Sequence, residues 1–235
     1  MKKLFDKDEV LFAVLWIIIY VVGFANADAI SESMGIPKGL TVLFGAFLSA
    51  FLFAFVRKNG LKEYFGLRKS KRNGKYALFI PLVLISSVNF WNGLTINCPA
   101  TEILLYIISM CFVGFLEELI FRGFLFKGMC KSNVKTAIIV SSLTFGVGHA
   151  VNLLLGAPVL ETMLQLVYAS AIGFCFTALF FVSSSIIPCI ISHAFINSTS
   201  IFAREPGSEV NIIIAIVQTL LSVSYGLWLL HKNKS

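Results

Sequence analysis

Eight apolar windows, each near the length of a membrane-spanning helix, follow one another along the chain. They run near Glu9–Gly23, Gly39–Val56, Tyr76–Ile96, Glu102–Gly128, Thr136–Leu155, Val159–Val182, Ser185–Phe202 and Asn211–Leu230. A spanning helix needs about 20 mostly apolar residues at about 1.5 Å each. In hydrocarbon every backbone amide must find its partner within the protein, so only helices and closed barrels cross. The windows are continuous rather than alternating, which excludes a barrel. The expectation is an all-α, polytopic membrane protein: a bundle of about eight transmembrane helices, forming a single integral-membrane domain over residues 1–235. The first and seventh windows are short, and the fourth is long enough to tilt or protrude. Composition agrees, with 57% hydrophobic and 13% charged residues, against roughly a quarter charged in a soluble domain.

Charge placement sets an expected orientation. Lys2, Lys3 and Lys7 precede the first window, the stretch Arg57–Lys75 joins the second and third, Arg122, Lys127, Lys131 and Lys135 mark the end of the fourth and the next connection, and Lys232 and Lys234 follow the eighth. The opposite connections carry Asp28, Glu32, Glu102, Glu161, Glu205 and Glu209, with only Lys38 and Arg204 positive. The positive-inside rule therefore puts both termini in the cytoplasm, in the plasma membrane if the protein is bacterial. The net charge of +7 is spent on these short connections, not on a nucleic-acid-binding face. A rival reading takes Leu11–Ile30 as the apolar region of a signal peptide, with Ala25-Asn26-Ala27 as the cleavage site. The preceding alternation of acids and bases is a poor fit to it. Within the basic stretch, Leu61–Leu67 reads as an ordinary cytoplasmic loop or as an amphipathic surface helix on anionic lipid. The five cysteines are scattered in or beside apolar runs without C-x-x-C spacing, so neither a disulfide framework nor a metal cluster is expected from them.

Three ionisable residues interrupt the fourth window: Glu117, Glu118 and Arg122. A charge inside the bilayer costs several kcal/mol, about 3 on insertion scales, and marks a functional site by default. Glu118 and Arg122 are four apart, on one helix face, and can neutralise each other. Glu117 is rotated from Glu118 by about 100°. It is left over, as a candidate general base. Two histidines also lie in membrane windows, His149 and His193. Asn197 shares a helix face with His193, and Phe145 lies one turn before His149, placed to wall a site. A lone membrane histidine is often only an interhelical hydrogen-bond partner. Two of them, with an unpaired Glu and an Asn, shift the balance toward function. By rise per residue Glu117 lies roughly 16–22 Å below the outer surface, with His149 about 20 Å and His193 about 12 Å from the cytoplasmic starts of their helices. They meet only if helices tilt or the surface is indented.

The segments EELIFRG (Glu117–Gly123), FGVGH (Phe145–His149) and HAFIN (His193–Asn197) resemble the E-E-x-x-x-R, F-x-x-x-H and H-x-x-x-N motifs of the CPBP family. These are the intramembrane CAAX prenyl endopeptidases and their bacterial relatives, the Abi proteins linked to bacteriocin processing and self-immunity. The motifs cover the fourth to seventh windows, a catalytic part of about 102–203; the remaining windows resemble the family only in hydropathy. The resemblance implies an eight-helix fold with a cavity open to the membrane and the cytoplasmic side. It also implies that Glu117 and His149 activate water, that His193 and Asn197 stabilise the oxyanion, and that Glu118 with Arg122 holds the site together. The implied substrate is a membrane-associated peptide or leader, or a prenylated CAAX-type peptide. Glu117, His149 and His193 also resemble a zinc set with one open position. They come from three helices without H-E-x-x-H spacing, so no required cofactor is the preferred reading and zinc the alternative. Two other functions stand beside the peptidase: a catalytically idle immunity or interaction protein of the same fold, and a proton-coupled transporter using the same residues as a relay. No inverted repeat or pair of broken helices supports the transporter. The partners expected are a peptide and the lipid bilayer, without nucleic acid, and the sequence sets no oligomeric state.

Overall fold

The computed structural model describes residues 1–70 and 79–232. It is an all-α, polytopic membrane architecture. A short α1 (Lys2–Lys7) leads into α2 (Glu9–Ser33), whose first turn is capped by Asp8 accepting a hydrogen bond from the Leu11 amide at 2.8 Å. Helix α2 runs well past the expected end at Gly23. Its polar residues there are satisfied: the Asn26 amide donates to the Val22 carbonyl, and Asp28 pairs with Lys38 at 2.8 Å and accepts from Thr41. The Ala25-Asn26-Ala27 triplet thus lies inside continuous helix.

Helix α3 (Gly39–Lys58) returns to the basic end. The third window differs from expectation. Its first residues, 76–78, lie outside the described residues, and the remainder forms only α4 (Ile80–Ser86) and one 3-10 turn, Val88–Phe90. Polar residues explain the early stop. The Asn89 amide donates to the Ile196 carbonyl at 2.5 Å and to the Thr199 hydroxyl at 2.8 Å, and Trp91 Nε1 donates to Ser87 Oγ at 2.9 Å. These groups turn the chain instead of crossing lipid.

Helix α5 (Ala100–Glu117) continues without a break through a π-helical segment, Glu118–Phe126, into α6 (Lys127–Cys130). Asn133 caps α7 (Val134–Gly148), a short α8 (Val151–Leu154) follows, then α9 (Val159–Ser183), α10 (Ile187–Thr199) and α11 (Ser208–Lys232). Among the described residues six helical segments are long and apolar enough to cross a membrane, with Ile187–Phe202 as a shorter apolar one. That is fewer than the eight expected. Helix α9 is the hub: 67% of its apolar window is buried, against 33–39% in the other five.

The two ends of the bundle are built differently. At the basic end the Tyr64 hydroxyl donates to Glu9 at 2.6 Å, Lys131 pairs with Glu9 at 2.7 Å, and Arg68 Nε donates to the Ser184 carbonyl at 3.2 Å. Burial and the Glu9 carboxylate push the Tyr64 phenol above its ordinary pKa. Leu61–Leu67 is not a surface helix: it is a run of turns that drives Phe65 into the core, fully buried against Phe5, Tyr64 and Phe124. Gly66 makes this possible with φ +72, a backbone conformation side chains disfavour. Its carbonyl accepts the Ile186 amide at 3.0 Å, so α10 begins beneath this plug. At the opposite end Tyr106 bonds Ser200 at 2.8 Å, the Asn92 amide donates to the Arg204 carbonyl at 3.2 Å, and the Asn152 amide donates to Gln165 at 2.8 Å.

Candidate active site

The α-to-π switch falls between the two carboxylates, since α5 ends at Glu117 and the π segment begins at Glu118. A π turn closes i→i+5 bonds, carries poorer intrinsic geometry than an α turn, and occurs mostly at functional sites. Here every residue from Glu118 to Phe126 is buried, so tertiary packing compensates for the weaker turn.

Close approach of α5 and α10 brings the motifs together. A Cβ added at Gly114 would lie 2.7 Å from the Ala194 amide nitrogen and 2.8 Å from its Cα. Only a glycine permits that backbone contact, the small-residue packing common between membrane helices. One turn along α5, and beside Ala194 on α10, His193 meets both carboxylates. Its Nδ1 lies 2.9 Å from Glu118 Oε1, and its Nε2 3.5 Å from Glu117 Oε2. Since Nδ1 is committed to Glu118, Nε2 is the nitrogen left for the cavity.

Glu118 also pairs with Arg122, Nη1 to Oε1 at 3.1 Å, both side chains being wholly buried. The guanidinium lies 4.2 Å from the Phe145 ring centre and donates from Nη2 to the Gly173 carbonyl at 3.3 Å. Glu118 Oε2 and Arg122 Nε find no hydrogen-bond partner among the described residues. The cluster is therefore held by charge and aromatic contact more than by a saturated hydrogen-bond network. Phe145 walls it: the ring is 5.4 Å from Phe121, 5.6 Å from His149 and 5.5 Å from His193, centre to centre.

One cavity of about 540 Å³ receives these groups: Glu117, Phe145, His149, His193 and Asn197 all line it, while Glu118 and Arg122 lie behind its wall. His149 caps the end of α7, and among the described residues no hydrogen bond occupies its ring or the Asn197 amide. Tyr20 was not anticipated from sequence. Its hydroxyl donates to Glu117 Oε1 at 2.5 Å, so the first long helix, which carries no motif, supplies a direct partner to the central carboxylate. A phenol in an otherwise apolar membrane run signals only that its buried hydroxyl needs some partner.

Among the described residues no three His, Cys, Asp or Glu side chains converge where they could hold a metal ion. His193 presents Nδ1 to Glu118 Oε1 at 2.9 Å and Nε2 to Glu117 Oε2 at 3.5 Å.

Residues 99–199 match the family Type II CAAX prenyl endopeptidase Rce1-like. Over that stretch the chain is similar to a CAAX-protease domain. No curated protein and no solved structure matches the chain significantly. The Rce1-like segment runs from α5 to α10 and includes every motif residue; Tyr20 and the α11 wall of the cavity lie outside it.

Proposed function

We propose that the protein is an intramembrane endopeptidase that hydrolyses a peptide bond with water activated by Glu117 and His149. The observation that carries this reading is the meeting of Glu117, His149, His193 and Asn197 on one cavity wall, inside the Rce1-like match. Tyr20 occupies Oε1 of Glu117, leaving Oε2 as the basic oxygen. A water between Oε2 and the open His149 ring gives its proton to Glu117, and its oxygen attacks the scissile carbonyl carbon. The electron pair moves onto the carbonyl oxygen. Asn197 Nδ2 and His193 Nε2 donate to that oxyanion, in a dry pocket where such donors count most. Glu117 then returns the proton to the departing amide nitrogen as the C–N bond breaks, giving one new carboxyl and one new amine.

For His193 to donate through Nε2 its ring must carry both protons. In that state Glu117, Glu118, Arg122 and His193 sum to neutral, the arrangement a low-dielectric site favours. Glu118 and Arg122 act as positioning residues, fixing the ring through Nδ1. Tyr20 plays the same part for Glu117. The step needs no group beyond the chain's own side chains and water.

The experiment is mass analysis of products when purified protein meets a library of plain and lipidated peptides. Paired fragments summing to substrate plus one water support the reading. Binding without fragments from any peptide contradicts it.

A further inference from the structure

We propose that the cavity is entered from the extracytoplasmic face, and that its occupant is a peptide segment already on that side of the membrane. The occupant's identity rests on the peptidase reading; the direction of entry does not.

The lining residues all belong to one half of the bundle. Glu117, Phe121 and His193 form the deep end, and Asp28, Asn92, Arg204 and Asn211 stand at the mouth. The mouth is thus at the end opposite Lys2–Lys7 and Lys232. Toward the basic end the path is closed by wholly buried groups: Phe12, Phe65 and Phe124, and beneath them Ser185 and Ile186 where α10 starts. The connections at the mouth carry Asp28, Glu32, Glu102, Glu161, Glu205 and Glu209 against Lys38 and Arg204 alone, whereas the other end holds the lysine-rich connections. That asymmetry places the closed end in the cytoplasm and the open end outside. A cavity open to the cytoplasm, as the motif resemblance implies, and cytoplasmic termini do not hold together in this fold.

The mouth suits an extended peptide. Arg204 is fixed there by its amide donating to the Gly93 carbonyl at 3.1 Å and by Asn92 on its own carbonyl. Its guanidinium lies over Gly93 and makes no ion pair among the described residues. On the wall below it the Gln165 amide nitrogen, the Asn197 amide and the Tyr168 ring can meet a peptide, while the Asn89 and Gln218 amide nitrogens already donate to backbone carbonyls.

Two measurements test this. In a protein with Cys98, Cys111 and Cys130 replaced by Ala, and the buried Cys175 and Cys189 kept, Met110→Cys and Ile214→Cys each place one thiol on the cavity wall away from the reacting groups. Lys69→Cys marks the basic end. A small membrane-impermeant thiol reagent should add one adduct at Met110→Cys and Ile214→Cys in intact cells, and at Lys69→Cys only in inverted vesicles. Wall labelling confined to inverted vesicles, from both sides, or from neither overturns the entry path whether or not any peptide is cut. For the occupant, a peptide that is cleaved in detergent should be cut when added outside right-side-out vesicles and survive when trapped within them. Cleavage only of the trapped peptide, or of no peptide even in detergent, overturns the occupant and leaves the labelling result standing.

Discussion

The basic half and the acidic half of the bundle share the same long helices and use them oppositely. In the basic half, α2, α3 and the π segment interlock through phenylalanines: Phe12 lies 5.4 Å from Phe55 and 5.1 Å from Phe124, and Phe65 lies 5.0 Å from Phe124. In the acidic half the same α2 and α5 part around a cavity walled by Asn, Gln and Tyr. Glu117 and Glu118 stand at the boundary, one lining the cavity and the other sealed behind it. Adjacent residues on one helix thereby receive different tasks. The difference teaches that the packed half is the scaffold against which the cavity-bearing half is held.

Two substitutions of comparable size should separate the halves by readout. Phe65→Ala removes a fully buried ring from the packed half and should cost about 3–5 kcal/mol of stability, read as a lowered melting temperature, with little change in kcat of the folded fraction. Asn197→Ala should do the reverse. It should cut kcat by about 10²–10³-fold, the scale for one oxyanion donor, while melting temperature and KM hold. Chelators should leave the wild-type rate unchanged; stoichiometric zinc, lost in both His149→Ala and His193→Ala, would replace the glutamate–histidine mechanism by a metal one. Tyr20→Phe should have the smallest effect. It deletes one hydrogen bond to a carboxylate, worth about 1.5 kcal/mol at the lower end of such bonds, and should lower kcat roughly tenfold with KM unmoved. A Tyr20→Phe protein that melts early but turns over normally would move Tyr20 into the scaffold.

Much of this was legible in the sequence because a membrane restricts what polar residues can do. Glu117, Glu118, Arg122, His149, His193 and Asn197 stand out as polar groups in apolar runs, and each falls in or directly behind the cavity wall. The Glu118–Arg122 pairing followed from helical spacing alone. Three features did not follow. Hydropathy measures depth and is nearly blind to rotation, so nothing pointed Tyr20 at Glu117. The π switch depends on tertiary packing of Glu118–Phe126, which leaves no compositional mark. The third window reads as a span because its apolar residues outnumber Asn89 and Asn92, yet those two amides bond across to α10 and to the segment beyond it.

The division between neighbouring carboxylates is tested most directly by comparing Glu117→Gln with Glu118→Gln for melting temperature and single-turnover cleavage. Glu117→Gln should melt near the wild type, because an amide still meets Tyr20, and should lose about 10²–10⁴-fold in rate with its base gone. Glu118→Gln should melt far lower, because it strands the buried Arg122 guanidinium at a cost of about 3–5 kcal/mol. An unfolded Glu117→Gln beside a stable, inactive Glu118→Gln would contradict the assignment and exchange the two roles.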